Sequence, residues 1–162
     1  QYGRSEGKIS EKGTYIDARA ALAYLHSRKE INREKIIFFG RSLGSAVAVE
    51  LALNEKCRAL ILETPFTSIL EMGKKLYPFL PVSLLLKTKY DSLAKIRNIK
   101  VPILVMHGDK DALVPFEHGK RLYDMANEPK EFYTIPGAGH NDTHIVGGDE
   151  YFDVIKRFVN KL

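Results

Sequence analysis

A serine set between two glycines, in the pentapeptide Gly40-Arg41-Ser42-Leu43-Gly44, is the feature that points most directly to chemistry. It follows a short apolar run and precedes a segment rich in Ala and Val that is typical of a helix. A serine on a sharp strand-to-helix turn presents its hydroxyl above a sheet, and the flanking glycines leave room where strand and helix converge. We predict that Ser42 is a nucleophile and that the backbone N–H of Leu43 stabilises an oxyanion.

A serine hydroxyl needs a base, and the base needs an acid to orient it. His140 lies in a Gly-rich loop after the last apolar run and is the predicted base. Asp109 and Asp111 follow the third apolar run, and Glu63 ends the second. The chain order serine, acid, histidine is that of a nucleophile-elbow enzyme, with all three alternatives for the acid left open.

Alternating apolar strands and helices must position these groups, which predicts an α/β fold with a mostly parallel sheet flanked by helices. The predicted strands cover 35–39, 58–63, 101–106 and 131–135, and the predicted helices cover 11–29, 43–54, parts of 67–97, 116–127 and 149–161. We predict a single domain over 1–162, with residues 64–100 as a cap-like helical excursion. The nucleophile, the acid and the base then lie at the carboxyl ends of parallel strands.

The chain resembles the C-terminal two-thirds of an α/β-hydrolase of the serine aminopeptidase and prolyl-oligopeptidase-like group. The motifs that carry the resemblance lie at 2–7, 62–68, 77–81 and 139–143. The last three are similar to the bud-emergence-type branch and its α/β-hydrolase-domain-containing relatives, some of them membrane-associated and some depalmitoylases. By matching position, the resemblance implies Ser42 as nucleophile, Asp111 as acid and His140 as base.

The same resemblance implies that the N-terminal third of the fold is absent from this sequence. We expect the second oxyanion donor to belong to that third, so that the 162-residue chain alone is weakly active. The strand at 35–39 then has an open edge, and we expect the chain to self-associate through it or to depend on an upstream segment. Absence of a signal peptide carries little weight because the chain does not begin with Met.

Composition excludes several classes of protein. A single cysteine, Cys57, excludes a disulfide framework and a Cys-rich zinc site. His140 and His144 lack a third ligand, and we expect no metal or cofactor. The net charge of +5 is spread along the chain, which argues against nucleic-acid binding. The basic run 87–100 is interpreted as solvated surface, and contact with a membrane surface or an acidic partner is the alternative. We expect a cytoplasmic location or a place on the cytoplasmic face of a membrane.

These observations favour a serine hydrolase of esters or thioesters, with amides as a further option. A small-molecule or acyl substrate is expected to contact Phe66, Leu80, Val82 and Leu84 in the excursion. The alternative is a weakly active or inactive α/β-hydrolase-fold domain that serves as a binding or scaffolding unit. Of the other histidines, His107 is predicted to support the acid loop and His118 to lie on a helix surface.

Overall fold

A four-stranded parallel sheet forms the centre of the protein in the computed structural model, which describes residues 6–162. Its strands lie side by side in chain order: β1 (Ile37–Arg41), β2 (Ala59–Glu63), β3 (Ile103–Gly108) and β4 (Lys130–Ile135). Every residue of β2 and β3 is buried. Strands covered on both faces need unbroken apolar sequence, so the apolar runs predicted the parallel sheet correctly.

Helices cover both faces of the sheet. They are α1 (Glu11–Ser27), α2 (Leu43–Asn54), α3 (Ile69–Leu76), α4 (Val82–Leu85), α5 (Ser92–Ile96), α6 (Phe116–Met125) and α7 (Thr143–Asn160). Leu60 and Leu62 of β2 pack on the face with α1, α2, α5 and α6. Ile61, between them, packs on the opposite face with α7. This alternation along one strand gives the domain two apolar cores, one on each side of the sheet.

Most predicted boundaries differ from the structure by one or two residues, and two of the differences have a clear local cause. The first strand begins at Ile37 because residues Arg33–Lys35 form a 3₁₀ turn capped by the side chain of Asn32. The last helix begins at Thr143, earlier than the predicted 149, and continues across a kink at Gly148, whose φ is +52°. Residues 2–5 of the predicted N-terminal motif lie outside the described residues.

The excursion between β2 and β3 carries the short helices α3, α4 and α5. Its first turn is tied to α6, because Thr67 Oγ1 lies 2.7 Å from His118 Nδ1 and Glu71 pairs with Arg121. The prediction that His118 lies on a helix surface is therefore wrong, since only 6% of the residue is exposed. Burial lowers the pKa of His118, so the ring is neutral at pH 7. Its hydrogen bond with Thr67 links the excursion to α6.

β1 forms one edge of the sheet within residues 6–162. Phe39 on this strand is about half exposed, whereas Phe38 is buried against α1 and α2. Self-association through this edge stays a prediction. Within the described part of the chain, no helix has the length and apolarity needed to cross a membrane.

Candidate active site

Ser42 sits on a strained turn between β1 and α2. Its φ of 51° and ψ of −120° lie in a region that residues with side chains rarely adopt. A side chain at Gly40 would place Cβ 2.4 Å from the carbonyl oxygen of Gly44, so the strand and helix converge where the sequence predicted. At Gly44 a Cβ would meet no described atom within 4 Å, so the same explanation is wrong for that glycine.

The structure brings the three predicted groups into one line of hydrogen bonds. Ser42 Oγ lies 2.9 Å from His140 Nε2, and His140 Nδ1 lies 2.7 Å from Asp111 Oδ2. Ser42 follows β1, Asp111 follows β3 and His140 follows β4, all at the carboxyl edge of the sheet. With Nδ1–H donating to the carboxylate, Nε2 is free to accept the serine proton.

The Asp111 carboxylate is held ionised by its hydrogen bonds. Oδ1 accepts the backbone N–H groups of Leu113 at 2.9 Å and Val114 at 2.8 Å, and Oδ2 faces His140. Burial by itself would raise the pKa of Asp111, but the bonds from His107, His140 and Val114 outweigh it and lower the pKa to about 2. The carboxylate is therefore charged at neutral pH, as an orienting acid must be.

His107 supports this acid loop, as the sequence predicted. The ring is fully buried at the end of β3, and Nε2 donates to the carbonyl oxygen of Val114 at 2.9 Å. The same nitrogen lies 3.4 Å from Asp111 Oδ2. A Cβ at Gly119 would lie 2.3 Å from His107 Nδ1, so this glycine lets α6 pack directly on the ring.

The other acidic candidates bind elsewhere. Asp109 Oδ1 accepts the N–H of Gly137 at 2.7 Å, at the start of the histidine loop. Asp142, which was not a candidate for the acid, accepts the N–H of Gly139 through Oδ1 at 2.7 Å within the same loop. Glu63 is buried and binds side chains of α7. Of the three acids that the sequence left open, Asp111 alone is hydrogen-bonded to the His140 ring.

An apolar cavity of about 360 Å³ opens beside Ser42, within the size range of small-molecule sites. Phe66 and Val82, two of the four residues expected to contact the substrate, line it. The other apolar side chains of its lining come from the start of α2, from α3 and the residues after α3 and α4, and from the acid loop: Leu43, Ile69, Met72, Leu76, Tyr77, Leu86, Leu113 and Val114. Cavities of similar volume lie elsewhere, one of them beside Asn32 and Leu162. The cavity beside Ser42 is the candidate site because it is lined by the predicted nucleophile.

Leu80 and Leu84 are not among the residues that line this cavity, contrary to the prediction. Leu80 is 53% exposed and Leu84 is 84% exposed. Both lie on the outer side of the excursion: Leu80 precedes the single short turn of α4, and within that turn Val82 is buried while Leu84 is in solvent. The apolar run at 79–86 is thus divided between the cavity and the surface.

A helix N-terminus lies at the serine. Leu43 is the first residue of α2, and first-turn N–H groups have no partner within their own helix. An anion on a carbon bound to Ser42 Oγ would meet this partial positive charge. The geometry is therefore consistent with the predicted oxyanion donor.

Arg41 is a site residue to which the sequence assigned no role. Its guanidinium Nη2 donates to the carbonyl oxygen of His140 at 2.7 Å, across 99 positions of the chain. The position of Arg41 next to Ser42 was the only sign in the sequence that this residue belongs to the site, because the direction of its side chain depends on where the histidine loop lies.

Within residues 6–162, no cluster of three His, Cys, Asp or Glu side chains could hold a metal ion.

Comparison with known proteins agrees with this architecture. The family model described as "Prolyl oligopeptidase family" matches residues 8–160. The uncharacterized protein Rv2307c of Mycobacterium tuberculosis (strain ATCC 25618 / H37Rv) is 41% identical over 160 residues, which cover 99% of this chain and 57% of that protein. Alpha/beta hydrolase domain-containing protein 17B of Homo sapiens is 35% identical over 164 residues, covering 99% and 54%.

Among solved structures, the Pyrococcus furiosus esterase Pf2001 superposes with a TM-score of 0.79 at 22% identity. The match covers 98% of this chain and 66% of the esterase. At that identity the likeness demonstrates a shared fold. The chain spans slightly more than half the length of the curated relatives that it matches.

Proposed function

The chain belongs to the prolyl oligopeptidase family and has an α/β-hydrolase fold, and from this premise we propose that it is a serine hydrolase of acyl esters or thioesters. The observation that carries the proposal is the bonded line from Ser42 through His140 to Asp111, set on a strained turn beside an apolar cavity. Each group has the partner that acyl transfer requires of it.

The proposed reaction begins when Ser42 Oγ attacks the acyl carbonyl carbon while His140 Nε2 takes the serine proton. Asp111 holds Nδ1–H and stabilises the imidazolium, and the N–H of Leu43 donates to the developing oxyanion. The imidazolium then protonates the leaving alcohol or thiol, which leaves an acyl-serine. A water molecule, deprotonated by His140, attacks the acyl-serine, and the acid is released with the serine restored.

The cavity supports an apolar acyl group as the part of the substrate that is recognised. Apart from Ser42 and the hydroxyl of Tyr77, the side chains that line it within residues 6–162 are apolar. A charged or peptide-like group would lose its hydration there without a replacement partner. An acyl chain entering beside Ser42 would bury its methylene groups, at about 0.8 kcal/mol each.

The outer side of the excursion supports contact with a lipid surface. Residues 76–86, which we call the apolar tip, expose several large apolar side chains, with Phe79 at 96%. Four lysines and no Asp or Glu lie between residues 74 and 90. Exposed apolar side chains flanked along the chain by lysines suit an anionic lipid surface. We extend the proposal accordingly: the tip rests on lipid close to the cavity that takes the acyl chain.

A fluorophosphonate probe tests the assignment of the nucleophile in the full-length protein. We expect the probe to label the wild type. The Ser27→Ala control should also be labelled, because Ser27 is exposed at the end of α1, outside the proposed site. Ser42→Ala should abolish labelling. Labelling that persists in Ser42→Ala would refute Ser42 as the nucleophile. A wild type that neither reacts nor hydrolyses p-nitrophenyl esters would favour the binding or scaffolding alternative.

A further inference from the structure

Glu63, at the end of β2, is a buried carboxylate whose partners come from α7 and the nucleophile turn. Oε1 accepts the hydroxyl of Thr143, the first residue of α7, and Oε2 accepts the hydroxyl of Tyr151 at 3.0 Å. Arg41 Nε lies 3.3 Å from Oε1. Glu63 is 3% exposed, and Thr143 and Tyr151 are also buried.

This cluster spans the two halves of the active site. Through its backbone carbonyl, Glu63 accepts the N–H of Ser42 at 2.9 Å. Through its carboxylate it holds Arg41, and Arg41 Nη2 donates to the carbonyl oxygen of His140 at 2.7 Å. Thr143 adds a second connection, because it lies three residues after His140 at the end of the same loop.

Physical chemistry makes these contacts interdependent. A buried carboxylate is costly unless hydrogen bonds and an opposite charge replace its water. Burial, followed by the charge and hydrogen bond of Glu63, raises the pKa of Tyr151, so its phenol stays protonated and donates. The Glu63 carboxylate is the charge that faces Arg41 Nε, a buried nitrogen that makes no hydrogen bond within residues 6–162, and it is the acceptor of the Tyr151 hydroxyl. Removing the carboxylate would leave the Arg41 charge without its counter-ion and the Tyr151 hydroxyl without its acceptor, and both groups would need new positions.

We infer that Glu63 is a positioning residue for the catalytic base: through Arg41 and Thr143 it sets where the His140 loop holds the imidazole. The inference rests on the proposed function, since position matters to the rate only if His140 moves a proton. Glu63 does not act as the acid, because Asp111 has that place. A shift of about 1 Å in a reacting group can lower a rate by about 100-fold, so a change in where the loop holds the imidazole has a measurable effect on the rate.

Glu63→Gln in the full-length protein tests the inference, with Glu50→Gln as the matched control. Glu50 also pairs with a cation, Lys95 at 2.8 Å, and lies on α2 away from the histidine loop. For p-nitrophenyl ester hydrolysis we expect Glu63→Gln to lower kcat and kcat/KM together by 10- to 100-fold with KM unchanged. Glu50→Gln should stay within about threefold of the wild type.

A second readout needs no turnover. The His140 Nδ1 proton shared with Asp111 should give a downfield proton NMR signal in the wild type and in Glu50→Gln. Glu63→Gln should broaden or abolish it while the remaining amide spectrum stays dispersed. Arg41→Met should reproduce both effects, and the double variant with Glu63→Gln should be no slower than the slower single variant, because the two residues act as one unit.

The outcomes separate the inference from the proposed function. A Glu63→Gln protein with wild-type kcat and a sharp signal would overturn the inference, as would equal losses in Glu50→Gln. A wild type without hydrolase activity whose signal is lost in Glu63→Gln would refute the proposed function and support the anchor. If Glu63→Gln fails to fold, Arg41→Met carries the test, and a retained signal with unchanged kcat in that variant overturns the inference.

Discussion

Replacing Asp111 with asparagine exchanges one carboxylate oxygen for an amide nitrogen, and the neighbouring backbone decides which one. Oδ1 accepts two N–H groups, from Leu113 at 2.9 Å and from Val114 at 2.8 Å. An NH₂ group in that position would face two donors, so the amide must keep its oxygen there. The NH₂ then faces His140 Nδ1, in the position that Oδ2 occupies at 2.7 Å.

This orientation inverts the histidine. An amide NH₂ donates to Nδ1, so the ring proton moves to Nε2 and points at Ser42 Oγ, which then has no base. A wrong tautomer of this kind costs about 10⁴ in kcat, or about 5 kcal/mol of transition-state stabilisation. Asp109→Asn is the control: Asp109 accepts one N–H, from Gly137, and an amide oxygen can do the same. We expect that variant to remain within about threefold of the wild type.

The assay is hydrolysis of a p-nitrophenyl ester by full-length protein, with urea unfolding measured in parallel. The folded-state pKa of about 2, against an ordinary 3.8, stabilises the fold by on the order of 2 kcal/mol above pH 4. This contribution is lost as the pH falls from about 4 to about 2, so the stabilities of wild type and Asp111→Asn should converge there. A loss of kcat below tenfold in Asp111→Asn, or a larger loss in Asp109→Asn, would refute the reasoning.

Three further predictions concern the turn, the cavity and the apolar tip. Gly40→Ala should lower the free energy of unfolding in urea by about 1–3 kcal/mol, because its Cβ would overlap α2. Gly44→Ala is the control and should change this free energy by less than about 0.5 kcal/mol. Equal losses in the two variants would contradict the packing argument. Met72 lines the cavity and Leu84 does not, so Met72→Asp should remove a preference for longer p-nitrophenyl acyl chains and Leu84→Asp should keep it. The same dependence of activity on acyl-chain length in both variants would contradict the cavity assignment. Phe79→Asp should weaken binding to phosphatidylserine vesicles roughly 10- to 100-fold without changing kcat on a soluble ester, and unchanged vesicle binding would exclude the tip as the contact.

The fold class and the family were predictable from the sequence because both depend on local patterns. Strands β2 and β3 are buried throughout, so they are apolar except near their carboxyl ends, where Glu63 and His107 lie. The nucleophile turn needs a small residue at Gly40, and that need is visible in the sequence. Helix α1 begins after Ser10, whose side chain accepts the N–H of Gly13, and such a serine cap is a local property of the sequence.

Other features were not predictable because local patterns do not determine them. The run at 79–86 is apolar along its length, yet Val82 is 7% exposed and Leu84 is 84% exposed. Which side chains line the cavity depends on how the excursion folds back over the sheet. The same limit applies to His118, whose burial follows from its bond with Thr67, 51 positions away.

The sequence by itself determined the parallel sheet and the presence of a serine, a histidine and acids after its strands, because apolar runs and glycine turns are local properties of the chain. Spacing left the acid open between Asp109, Asp111 and Glu63, and the family resemblance implied Asp111. Tertiary structure decided how Asp111 meets the ring. Asp109 and Asp111 are two residues apart, and the backbone N–H groups of Leu113 and Val114 turn Asp111 toward His140. It also decided the role of Glu63, whose hydroxyl partners lie 80 and 88 positions further along the chain and reach it only when α7 packs against the sheet.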